Sequence, residues 1–262
     1  MADLTKEQIS KFKAKEKDAW GASDFQFLAE EVASTGDKVW AKKLYQKGVA
    51  APTGVFESRG EEGLDSDNFV HLAQSAMDSI ADIDFVKSIY KLAEHQLSEQ
   101  KSIRLSLQIS FINNLASSIL GYLKDQEWSK AIYRKAENIA ETADDFYSIA
   151  DDMCRNRFCQ HQVIIDKVYI LELIKKAVEA PPQYDTLSIY IQIAQCLDSY
   201  DIDKDYCRSM FEKTIAFAKE KDRERMSEVL DLIQNSSFEN KKEWMKILNN
   251  GSAKKKTAEA KK

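Results

Sequence analysis

Glycine and proline are scarce, 8 and 3 in 262 residues. Tight turns draw heavily on those two residues, so their shortage fits long helices better than a sheet protein. Cysteine is also rare: Cys154, Cys159, Cys196 and Cys207 follow no regular spacing. That pattern provides no disulfide framework and suits reduced thiols. No apolar run approaches the roughly eighteen residues of a membrane helix, and MADLTKEQISKFKAKEKDAW lacks the apolar stretch of a secretory signal. A cytoplasmic chain without a membrane span is therefore expected. There is no phosphate-cradling glycine loop, no HExxH helix and no nucleophile elbow, so neither an enzyme nor a cofactor is expected. The 38 basic and 43 acidic side chains leave a net charge of -5. A binder of phosphate backbones needs a basic face, so nucleic acid is not expected as the main ligand.

What is present is material for a core. Leu, Ile, Val and Phe make up 63 of the 262 residues, above the roughly one-fifth below which chains tend to stay disordered. One pattern recurs: an Asp, an aromatic residue three positions on, a compact residue, then an apolar or aromatic pair and another small residue. It runs through GDKVWAKKLYQKG, ADIDFVKSIYKLA, DQEWSKAIYRKA, DKVYILELIKKA and DKDYCRSMFEKT, and a weaker sixth copy around Trp244 lacks the Asp. The recurring acids are Asp37, Asp82, Asp125, Asp166 and Asp203, stepping by 45, 43, 41 and 37 residues. The apolar positions are spaced three and four apart, which predicts a helix in each copy. The Asp stands where an N-cap or first-turn acid belongs, a structural role.

A second helical stripe precedes each copy, as in Leu28, Ala29 and Val32, or Ile193, Ala194 and Leu197. Each unit therefore reads as a hairpin of two antiparallel helices, here called leading and trailing. Ala29, Ala41 and Gly48 are small enough to let the backbones approach closely.

These residues resemble the tetratricopeptide repeats and their longer-period relatives, the Sel1-like repeats. The first unit carries the resemblance best, with Leu28-Ala29, Val32, Gly36-Asp37, Ala41, Tyr45, Gly48 and Pro52 in the family's order. The periods exceed the family's usual length, and Val86, Ile170 or Cys207 replaces a small residue. The resemblance implies an all-α, right-handed α-solenoid of five clear hairpins and a degenerate sixth, working as a scaffold or adaptor. Residues 1–20 are expected as a capping helix, opened by the capping-box pattern Thr5-Lys-Glu-Gln8. Residues 21–250 are expected as the array, and 251–262 as a basic disordered tail. Phe238, Trp244, Met245 and Leu248 are expected to close the far end. Residues 51–66 read as a surface loop that either is a solvated insertion or contacts a partner.

Charge divides unevenly within the hairpins. The leading helices carry thirteen acids, no Lys, and only Arg155 and Arg225 as bases. In the family resembled, leading helices line the concave face where a partner segment lies. Carried over, that face comprises Gln26, Glu30, Gln74, Asp78, Asn113, Ser117, Tyr147, Asp151, Arg155, Gln195 and Asp198. An acidic, amide-rich groove of this kind suits a protein or peptide partner with a basic segment. The alternative use of the same acids is to keep a helical face soluble.

Two further features stay open. The tail GSAKKKTAEAKK is read as a solubilising end, a tether for nucleic acid or membrane, or a ligand for the acidic face. Cys154, Cys159 and His161 lie close in sequence and offer soft metal ligands or a redox pair, the basis of an alternative accessory-factor role. His71 and His95 read as surface or packing residues.

Overall fold

The computed structural model describes residues 4–51, 65–99, 104–155, 166–237, 241 and 244. Among them there are twelve α-helices and no strand. They fall into two compact units, the first ending at Ile139 and the second starting at Ala140.

In the first unit α1 (Lys6–Asp18) precedes three hairpins: α2 (Ala22–Ser34) with α3 (Lys38–Ala50), α4 (Asp65–Ile80) with α5 (Ile83–Glu99), and α6 (Leu105–Ser118) with α7 (Gln126–Ile139). A π-helical turn, Ile119–Leu123, continues α6. Each hairpin packs on the next through its leading helix, α4 on α2 and α3, and α6 on α4 and α5. In the second unit α8 (Ala143–Arg155) pairs with α9 (Lys167–Glu179), and α10 (Thr186–Ser199) with α11 (Lys204–Lys221). There α10 packs on α8, and α12 (Met226–Asn235) packs on α10 and α11.

All five recurring acids cap trailing helices. Asp37, Asp82, Asp125, Asp166 and Asp203 each accept from the backbone N–H of the aromatic residue three positions on: Trp40 (2.9 Å), Phe85 (3.0 Å), Trp128 (3.1 Å), Tyr169 (3.0 Å) and Tyr206 (2.8 Å). Such a bond satisfies one of the four donors a helix start leaves open, worth about 1 kcal/mol. Thr5 and Gln8 complete the reciprocal capping box of α1 at 3.2 and 2.9 Å.

Ahead of the first three caps the chain takes the left-handed conformation, at Gly36 (φ 98°), Ala81 (φ 56°) and Lys124 (φ 56°); Asp201 (φ 47°) does so two residues ahead of Asp203. Glycine occupies only the first of these turns, so the others carry a Cβ in a region that disfavours it.

The compact residue after each aromatic sits against the partner helix. Ala41, Val86, Ser129, Ile170 and Cys207 are all buried. Ser129 Oγ donates to the Ala116 carbonyl at 2.8 Å, and Cys207 Sγ reaches the equivalent Ala194 carbonyl at 3.8 Å. At Gly48 of α3 an added Cβ would lie 3.3 Å from Phe25 and 3.4 Å from the Ala22 carbonyl oxygen of α2, and 3.4 Å from Leu72 of α4.

Trailing helices are tied to one another by the aromatic. Trp40 rests edge-on against Phe12 of α1, centroids 5.9 Å apart, and Trp128 against Tyr90 of α5 at 6.5 Å. Lys42 lies over the Phe85 ring at 5.3 Å, and Lys175 over Tyr206 at 5.6 Å. The lysine that opens a trailing helix staples it to the next leading helix, Lys38 reaching the Ile80 carbonyl and Lys167 that of Asp201. Both bonds place a cation at a helix C-terminus, where the dipole favours it.

Of the expected loop 51–66, Asp65 and Ser66 belong to α4 and residues 52–64 lie outside the described residues. Phe238, Met245, Leu248 and the tail 251–262 also lie outside them. Trp244 is buried and stacks on Phe211 at 5.1 Å.

Candidate functional site

The eleven residues singled out on the leading helices divide between the two units. In the first, Glu30 and Gln74 hydrogen-bond to the neighbouring leading helix. Glu30 of α2 accepts from Gln26 (3.1 Å) and from Ser75 of α4 (2.5 Å), whose hydroxyl also meets that of Tyr45 at 2.6 Å. Gln74 donates to Ser118 of α6 at 2.8 Å. Asp78 is exposed and near Tyr122, whose phenol is pushed above its ordinary value by burial and then by that carboxylate. Asn113 and Ser117 are buried, Ser117 bonded to the Tyr133 hydroxyl at 2.9 Å. Those two side chains are interior, whereas Gln26, Glu30 and Gln74 are half-buried and Asp78 is exposed.

In the second unit, the structure brings the other five together. Tyr147, Asp151 and Arg155 of α8 and Gln195 and Asp198 of α10 all line one open cavity of about 450 Å³. Within α8, positions 147, 151 and 155 succeed one another four residues apart and share a face. The Tyr147 hydroxyl donates to Asp151 at 3.4 Å, and Arg155 Nε to the same oxygen at 2.9 Å. Burial, then the Asp151 charge, pushes the Tyr147 phenol well above its usual range. The Asp151 charge also raises Arg155. Asp198 accepts from the Ser237 amide (2.8 Å) and hydroxyl (2.5 Å).

Sequence reasoning missed part of this lining: Cys196, Tyr200, Leu232 and Asn235. Tyr200 follows the end of α10, and Leu232 and Asn235 come from α12. The Ile193, Ala194 and Leu197 stripe marks the buried face of α10, and α12 carries its own buried stripe in Val229, Leu232 and Ile233.

The two arginines of the leading side are both held by acids. Arg155 is tied to Asp151, and Arg225 donates to Asp185, to Ser188 (2.9 Å) and to both oxygens of Glu228 (2.7 and 2.6 Å). Partial burial raises the Asp185 carboxyl, but bonds from Ser188, Arg225 and the Leu187 amide outweigh it and hold it at about 2.

Cys159 and His161 lie outside the described residues. Among the described residues no three His, Cys, Asp or Glu side chains gather as a metal-holding group. His71 and His95 are exposed on α4 and α5. No described helix is long and apolar enough to cross a membrane. Comparison with protein-family models, curated proteins and solved structures finds no match to this chain.

Proposed function

We propose that this chain is a non-catalytic interaction scaffold of the α-solenoid kind, right-handed as its likeness to tetratricopeptide and Sel1-like repeats implies. Its leading-helix side takes a partner segment rich in Lys or Arg. The observation that carries this reading is the convergence of Tyr147, Asp151, Arg155, Gln195 and Asp198 on one open cavity. The cavity offers two carboxylates against one guanidinium, together with aromatic faces and amide groups. A Lys or Arg side chain entering it meets Asp198 and competes with Arg155 for Asp151, while its methylenes lie along Tyr147 and Tyr200. In the first unit, Glu30 and Asp78 extend the same preference.

The test is fluorescence anisotropy with a labelled Lys/Arg-rich peptide and a Glu-rich peptide of equal length. The basic peptide binds, the acidic one does not, and affinity falls as salt screens the charges. Equal binding of both peptides, or none, removes the proposal.

A further inference from the structure

Beneath the cavity lies a pair of thiols that the binding reading does not use. Cys154, on α8, and Cys196, on α10, have their sulfurs 3.7 Å apart, in van der Waals contact, and both side chains are buried. Cys196 lines the cavity; Cys154 does not. The pair joins two leading helices 42 residues apart in sequence. Cys207, the third buried thiol, is directed to the Ala194 carbonyl and does not line the cavity.

From this arrangement we infer that Cys154 and Cys196 form a thiol–disulfide exchange site for low-molecular-weight disulfides that enter through the cavity, with Cys196 attacking and Cys154 resolving. The two positions differ in the way that such division of labour requires. Cys196 meets the cavity, whereas Cys154 is absent from its lining and contacts Cys196. The contact with Cys196 and burial also raise the Cys154 thiol well above its ordinary range.

The reaction balances as two exchanges. The Cys196 thiolate attacks one sulfur of the incoming disulfide, forming a mixed disulfide and expelling one small thiolate. The Cys154 sulfur then gives up its proton and attacks Cys196 Sγ, forming the protein disulfide and expelling the second small thiolate. Two protein thiols are oxidised and one small disulfide is reduced to two thiols. The product ties α8 to α10 across the floor of the cavity.

The site stands apart from the choice of binding partner, and its test needs no peptide. The whole reduced protein is incubated with oxidised glutathione, quenched with acid, and read by intact mass and peptide mapping. The wild-type chain is expected to lose two hydrogens and to show a Cys154–Cys196 bridge. Cys154→Ser is expected to accumulate one glutathionyl group on Cys196, and Cys196→Ser to leave Cys154 unmodified. Cys159→Ser and Cys207→Ser retain the bridge. Circular dichroism of each variant confirms the helical fold before reaction. A bridge from Cys154 to Cys159, glutathionylation of Cys154 in Cys196→Ser, or no bridge in the folded wild type overturns the assignment.

Discussion

The indole N–H of Trp128 donates to Glu94 at 3.0 Å, and the other oxygen of that carboxylate accepts from Lys135 at 2.5 Å. The same arrangement occurs 78 to 88 residues earlier: Trp40 donates to Glu16 at 3.2 Å and Lys47 reaches its second oxygen at 2.6 Å. Both tryptophans also meet an aromatic ring one turn before the glutamate, Phe12 or Tyr90, edge-on. Thus α1 stands to α3 as α5 stands to α7, and occupies the place of a trailing helix.

This clamp makes a stability prediction. The two carboxylates are largely shielded, 19 and 26% exposed. Glu94→Ala removes an acceptor from an indole and a lysine together, a loss of about 1–2 kcal/mol. Glu94→Gln keeps an acceptor for the indole and loses less. Urea unfolding of the two variants checks the order, and equal losses would show that the indole bond contributes nothing.

Ala81 makes a second prediction. Its φ of 56° lies where Gly36, at φ 98°, stands in the first hairpin. Ala81→Gly relieves a left-handed cost of about 1–2 kcal/mol, offset by roughly 0.5–1 kcal/mol of added freedom in the unfolded chain. A small gain in melting temperature is expected. Ala76→Gly, in the buried middle of α4, lowers stability by about 1 kcal/mol or more. A loss at both positions contradicts the turn argument.

A third prediction concerns pH. Asp185 caps α10, accepting from Leu187 and Ser188, and is ion-paired with Arg225. Its folded pKa of about 2 lies below the ordinary 3.8. A depressed carboxylate stabilises the fold fully above its unfolded value and loses that contribution as pH falls from about 4 towards 2. Asp185→Ala should flatten the pH dependence of melting over that window and lower stability at neutral pH by about 1 kcal/mol through loss of the cap. An unchanged profile would mean that other groups set the acid limit.

Much of this fold was legible because its signals are local. An Asp three residues ahead of an aromatic specifies a cap whatever packs above it, and all five are formed. The clamp was not legible, because Glu16 lies outside the recurring pattern and Glu94 four residues beyond the Tyr90 that ends the pattern's apolar pair. Family register sets Asn113 and Ser117 on the expected concave face. Both are interior because α6 is buried over most of its last three turns, from Ile112 through the π-helical turn. The confinement of lysine to trailing helices also acquires a structural cause: Lys38, Lys42, Lys47, Lys135 and Lys167 each bridge to a neighbouring helix or turn. The cavity in the second unit needed the meeting of α8, α10 and α12, which no single segment announces.

The proposed basic segment binds where Tyr147, Asp151, Gln195 and Asp198 meet. Backbone amide chemical-shift mapping with a Lys/Arg-rich peptide tests it most directly, using the wild type and Asp151→Asn, which leaves Arg155 without its carboxylate. Shifts are expected to concentrate at Tyr147 to Arg155 and Gln195 to Tyr200, reduced at high salt and weakened in Asp151→Asn. Shifts concentrated instead on the trailing helices α9 and α11, or unaltered by Asp151→Asn, would contradict it.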